Sequence, residues 1–239
     1  MIEAVTFDFW NTIARVPPGA MTEARRRAVA AACEEYSLEV EPELLGHSLE
    51  EVGLHWEEAW AAGRHLHPRE GAEMLVRALG ADGAAAEPVA AAFLGAGRGV
   101  SLELAPDIRV ALEALAERGV RLGIVCDVGF TRGALLRGLL DREGLLAHFD
   151  GWAFSDEVGH YKPSPQIFEA ALGALEARPE AAMHIGDLRR TDVAGAAGMG
   201  MRTARYRGMH DDGAAGVEAD IVLDSHAELL DAVDAADRD

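Results

Sequence analysis

Beyond residue 100 the chain alternates compact apolar runs with longer amphipathic stretches, and that alternation leaves few folds open. Val120 to Cys126, Trp152 to Phe154, Ala182 to Ile185, Met201 to Ala204 and Ile221 to Leu223 read as short strands. The stretches between them carry a helical period. Ile108, Ala111, Leu112 and Leu115 share one face after Pro106, and Arg118-Gly119 closes that helix. Ile167, Phe168, Ala171, Leu172 and Leu175 share another, opened by the cap and first-turn pair Ser164-Pro165. Further helices are expected over Thr131 to Leu140 and, in small residues, around Asp192 to Ala197. Strands separated by helices return parallel, with helices on both faces, so the expected class is α/β. Ile2 to Asp8 supplies one more strand, ahead of the break at Pro17-Pro18-Gly19.

The stretch from Met21 to Gly99 interrupts this pattern. It is rich in Ala, Glu, Arg and Leu, without strand-like runs, and is broken near Pro42, Pro68, Gly80 to Gly83 and Gly95 to Gly99. About four helices are expected there as an insertion after the first strand. The expected division is a core of residues 1–14 and 100–239 with an inserted helical domain over residues 15–99.

Composition narrows the partners. A net charge of −19 repels a phosphate backbone and an anionic bilayer, so neither nucleic acid nor membrane is expected. A small anionic substrate remains compatible, because a few local donors overcome a distant field. Cys33 and Cys126 make no disulfide framework or zinc cluster, and the sequence carries no membrane-length apolar run or signal-like start. A reducing cytoplasm is the expected compartment. Arginine supplies nearly all the positive charge, and Lys162 is the only lysine.

Ligands of a doubly wound sheet bind beyond the carboxyl ends of the strands. Asp8 ends the first strand, Cys126-Asp127 the second and Gly186-Asp187 the fourth, with Lys162 in a loop and Asp192 just beyond. Asp8, Asp187 and Asp192 form an all-oxygen set suited to Mg²⁺, and Lys162 can balance charge and hold a substrate oxygen. A carboxylate in that setting can attack phosphorus and form an acyl phosphate.

These segments also resemble a family. DFWNTI at 8–13, GIVCD at 123–127, YKPSPQIF at 161–168 and HIGDLRRTDVAGA at 184–196 are similar, in order and relative spacing, to the four motifs of the haloacid dehalogenase superfamily. The resemblance implies a three-layer Rossmann-like core with a helical cap. It implies Asp8 as nucleophile, Lys162 as its charge partner, and Thr12, Cys126 and Asp127 as substrate-binding residues. It also implies that Asp8, the backbone carbonyl of Trp10, Asp187 and Asp192 hold Mg²⁺. The expected activity is hydrolysis of a small phosphorylated metabolite through an aspartyl-phosphate.

Three positions depart from the family pattern. Trp10 stands where its phosphatases carry an aspartate that protonates the leaving group and then activates water, a contribution on the order of 10²–10⁴-fold. Cys126 replaces Ser or Thr. Asn11 replaces a glycine, and asparagine tolerates unusual backbone angles. Family dehalogenases carry an aromatic residue at the position of Trp10, which keeps carbon–halogen hydrolysis as an alternative, although they dispense with the metal and lack a Gly-Asp pair like Gly186-Asp187. A non-catalytic binding protein is the third reading.

Simpler roles stand beside these. Asp192 could cap the helix after it, Cys126 could fill core, and Trp10 could pack as hydrophobic filler. His47, His55, His65 and His67, with Trp56 and Trp60, read as packed or solvated helical residues, and Arg189 and Arg190 as the solvated start of a helix.

Overall fold

The computed structural model describes residues 1–237. In chain order the elements are β1 (Ala4–Phe7), β2 (Ala14–Arg15), α1 (Ala20–Glu35), α2 (Pro42–Ala61), α3 (Pro68–Ala78), α4 (Gly83–Gly95), β3 (Glu103–Leu104), α5 (Ile108–Glu117), β4 (Arg121–Cys126), α6 (Gly133–Arg142), β5 (Gly151–Phe154), α7 (Ser155–Val158), α8 (Pro165–Ala174), β6 (Ala182–Gly186), α9 (Ala194–Gly198), β7 (Arg202–Tyr206), β8 (Ile221–Leu223) and α10 (Leu229–Ala236). Two units separate. One holds residues 1–15, 102–127 and the chain from Leu140 onward, and the other holds Val16–Ser101 with Val128–Leu139.

The first unit is built on a six-stranded parallel sheet in the order β5-β4-β1-β6-β7-β8, the α/β class expected. All four residues of β1 are buried, as a strand covered on both faces requires. Val125 and Ala153 pack with Ile167, Phe168, Ala171 and Leu172 of α8, and alternate residues of the same strands face the other side. The small residues of α9 follow from close packing: a side chain on Gly195 would place its Cβ 2.4 Å from the Phe168 ring. From β1 the chain builds outward through β4 and β5, then crosses back to lay β6 on the other side of β1. The direction of winding thus reverses between β1 and β6, and their carboxyl ends open the crevice where such sheets bind ligands.

The second unit contains four long helices, α1 to α4, as the breaker spacing predicts. Pro42 and Pro68 prove to be first-turn residues of α2 and α3, where a missing N–H costs nothing. α3 adds a capping box: His67 Nδ1 accepts from the Arg69 amide, and Glu70 accepts from the His67 amide at 2.9 Å. The grouping by contacts differs from the expected division at residues 128–139, which pack with these helices. Phe130 is buried in their core against Phe93, and the Arg25 guanidinium lies over both rings while donating to Thr131 Oγ1 at 2.9 Å. Trp56 and Trp60 stack on each other within this unit, with ring centroids 5.8 Å apart, and Trp56 packs against its core. Among the described residues no helix is long and apolar enough to cross a membrane.

His226 ties the C-terminal end of the first unit to the loop after β1. Its ring is stacked on Tyr206 at 4.1 Å, and Nε2 donates to the Thr12 carbonyl at 2.8 Å. Burial lowers its pKa from 6.5 to about 4, so the folded protein keeps it neutral where the unfolded chain would be charged. The unfolded state therefore binds the extra proton below pH 6.5, and this residue's share of stability falls as pH drops toward 4, by on the order of 3 kcal/mol. Urea unfolding at pH 7.5 and pH 5 is expected to show about 2 kcal/mol of this loss, and His226→Gln, which keeps a donor but cannot titrate, should remove that part of the pH dependence.

Candidate active site

Lys162 is the hub of the crevice. Its ammonium donates to Asp8 Oδ1 at 2.5 Å, Asp192 Oδ1 at 2.6 Å and the Val125 carbonyl at 3.1 Å. These are all three hydrogen bonds an ammonium can donate, and Lys162, Asp8 and Asp192 are buried. Burial alone would strip the charge from Lys162, but Asp192 and Asp8 outweigh it and hold its pKa well above the ordinary value. The backbone beneath it is also held, since the Lys162 amide donates to Asp127 Oδ1 at 3.0 Å.

Asp192 is fully engaged. Oδ1 takes Lys162 and, at 3.1 Å, His184 Nε2, and Oδ2 takes the Leu188 amide at 3.1 Å. Although burial works to raise its pKa, Lys162 and His184 hold the carboxyl well below the usual range. His184 is itself pinned. It lies beside Thr6 in the β1–β6 register, and its Nδ1 pairs with the Thr6 hydroxyl at 2.8 Å. Burial pushes its pKa down, so neutral imidazole accepts from Thr6 and donates to Asp192. Gly186 makes the fit sterically feasible: a Cβ there would lie 2.2 Å from Asp192 Cγ.

Asp8 and Asp187 are placed differently. Asp8 has one oxygen on Lys162 and, among the described residues, no side-chain partner on Oδ2; Asp187 accepts from His210 Nδ1 at 2.7 Å and Asn11 Nδ2 at 3.5 Å, both on Oδ2. Burial is the largest influence on both, raising Asp187 to about 7 and Asp8 well above its usual range, with neighbouring carboxylates adding to the push. With all three carboxylates ionised, one ammonium would leave two negative charges uncompensated, the deficit behind these upward shifts and one that a divalent cation would remove. Among the described residues no three His, Cys, Asp or Glu side chains are already arranged as a metal cage. Mg²⁺ does not need one, because it binds through one or two carboxylates with water and substrate oxygens.

The loop between these groups is tight. The Ile13 and Ala14 amides both donate to the Phe9 carbonyl, and Asn11 sits at φ +57°, the left-handed conformation asparagine tolerates. Trp10 is half-buried, its indole edge-on to Phe9 at 4.8 Å. Thr12 and Cys126, expected to bind substrate, are both fully buried, as Asp8 and Lys162 nearly are. Burial, aided by Asp8, keeps the Cys126 thiol protonated. Asp127 supports the backbone of Lys162 through its side chain. Arg189, expected in solvent, instead pairs with Glu218 at 2.7 Å.

Two participants escape the sequence reading. His184 lies inside a quoted motif, and a histidine in the otherwise apolar strand AMHIG is the signal that could have found it. His210 sits in a polar loop with no motif around it, and only the chain's path brings it to Asp187.

Comparison with known proteins identifies the family. The family model described as haloacid dehalogenase-like hydrolase matches residues 2–200. The glyceraldehyde 3-phosphate phosphatase of Methanopyrus kandleri is 33% identical over 243 aligned residues, covering 98% of this chain and 97% of that protein. In fold the chain is similar to a phosphatase of the same superfamily from Thermococcus onnurineus (TM-score 0.64, 22% identity, 97% and 98% of the two chains). It is also similar in fold to a 2-haloacid dehalogenase from Pseudomonas syringae (TM-score 0.70, 23% identity, 98% and 99% covered). Fold alone does not separate the two chemistries.

Removing the hub should be costly. Lys162→Met leaves two buried carboxylates without their cation, a change expected to cost about 3–5 kcal/mol. Urea denaturation at pH 7 measures it, and the loss should shrink toward acidic pH as the stranded carboxylates protonate.

Proposed function

Since the chain belongs to the haloacid dehalogenase-like hydrolases, we propose that it is an Mg²⁺-dependent phosphohydrolase of a small phosphorylated metabolite, with Asp8 as nucleophile. The observation that carries this reading is the pair Asp8 and Asp187: two buried carboxylates, each with an oxygen free of side-chain partners, beside a third that Lys162 and His184 already neutralise. A halide-releasing site needs the nucleophile and the lysine but has no use for Asp187. The full-length likeness to a glyceraldehyde 3-phosphate phosphatase supports the same choice.

Asp8, the Trp10 carbonyl and Asp187 would hold the cation. When bound, Mg²⁺ supplies the positive charge that keeps both carboxylates ionised and offsets charge on the transferring phosphoryl group. Asp192 has no free oxygen for it and works through Lys162 instead. The free oxygen of Asp8 attacks phosphorus, the ester P–O bond breaks, and the alcohol leaves as an alkoxide that takes its proton from water. Water then adds to phosphorus and gives up a proton to the hydroxide left by the first step, the Asp8–phosphorus bond breaks, and inorganic phosphate departs with the carboxylate restored. Lys162 holds Asp8 in place through the first step and stabilises negative charge on the phosphoryl oxygens.

Proton transfer is the weak point. The Trp10 indole can donate a hydrogen bond but cannot exchange a proton near neutral pH, and the buried thiol of Cys126 offers no base. Slow turnover with a persistent aspartyl-phosphate follows. The acidic surface fits a small substrate rather than a nucleic acid. The two buried free cysteines suit a reducing cytoplasm.

Hydrolysis of an aryl phosphate and of a triose phosphate, with Mg²⁺ and with a chelator, tests the reading. Activity should require the metal and disappear in Asp8→Asn. Trp10→Asp, restoring a carboxylate, should turn over at least as fast as the wild type. Halide release from a 2-haloacid in chelator would overturn the phosphatase assignment.

A further inference from the structure

The loop between β7 and β8 is held to the site by a ring of contacts. Arg205, buried at the end of β7, takes both oxygens of Glu218 at 2.8 and 3.1 Å and Asp211 at 2.7 Å. Arg189, two residues past Asp187, reaches the same Glu218 at 2.7 Å, and its backbone amide donates to Asp212 Oδ2 at 2.8 Å. Asp212 also accepts from the Ala214 amide at 2.9 Å, closing a turn just after His210. Both residues following His210 are thereby anchored, one to β7 and the other to the segment that carries Asp187.

We propose that His210 is a positioning residue for a divalent cation at Asp187. Its Nδ1–H donates to Oδ2 and turns Oδ1 toward the cation, and the Arg205–Glu218–Arg189 cluster is the clip that delivers it. This rests on the reading of Asp8 and Asp187 as cation-binding. A carboxylate with one oxygen held loses rotational freedom before the metal arrives, so less ordering is required on binding. Groups that orient metal-binding side chains in this way typically change affinity 10–100-fold when removed. Asn11 alone is a poor substitute, since its contact with the same oxygen is 3.5 Å long.

Direct binding of Mg²⁺, by calorimetry and by the rise in melting temperature it causes, tests the proposal without assaying activity. Asp187→Asn should abolish binding; unchanged binding in that variant would sink the cation reading itself. Given that loss, His210→Ala should weaken Mg²⁺ about 10–100-fold. His210→Asn, whose amide can stand where Nδ1 stands, should recover most of the loss. A His210→Ala protein that melts lower without metal yet binds Mg²⁺ as tightly as wild type would reduce His210 to a loop support and overturn the proposal. Glu218→Gln tests the clip separately: weaker binding with His210 intact supports it, and unchanged affinity removes the clip.

Discussion

The structure depends on one buried ammonium. Lys162 joins the end of β1 through Asp8, the last turn of β4 through Val125, and the segment after β6 through Asp192. Its own position is held from the end of β4 through Asp127. An ion taken from water costs several kcal/mol, and that cost is offset only where geometry is good and every donor is used. Both conditions hold here. They also explain why this position resists the arginine found at every other strongly basic position of the chain. Three acceptors converge on one point, which suits a compact ammonium and not a planar guanidinium fork.

That hub divides the carboxylates by role. Asp192 spends its oxygens inside the protein, on Lys162, His184 and the Leu188 amide, and is in effect part of the scaffold. Asp8 and Asp187 each keep an oxygen free of side-chain partners among the described residues and remain under electrostatic tension, pushed toward protonation by burial and by Asp192. Two aspartates five residues apart in one motif thus have opposite electrostatics, Asp192 held low and Asp187 held high. The reason is local. Gly186 lets Asp192 fold back against the strand end under Lys162, while Asp187, also buried, meets His210 instead.

Much of this was legible in the residues. Alternating apolar runs and helical stretches are enough to call a parallel sheet, and its strand ends bring Asp8 and Asp187 to one edge. Lys162 stood out as the lone lysine. Asn11 was read as tolerant of unusual backbone angles, and its positive φ agrees. Residues 128–139 pack with the helical unit, and nothing in a short loop and helix declares that Phe130 packs against Phe93. The pairing of Arg189 with Glu218 is not legible, because Glu218 lies in a loop with no periodic pattern.

The sequence by itself determined the fold class, the strand ends that carry chemistry and the identity of the central cation, because these follow from local period and residue type. Tertiary structure decided how each polar group is used. Whether a carboxylate is satisfied or left free, whether Thr12 and Cys126 reach a surface, and which loop residue meets Asp187 depend on distances between segments far apart in the chain. Hydrogen bonding and electrostatic tuning are short-ranged, so they are settled only when packing brings those segments within a few ångströms.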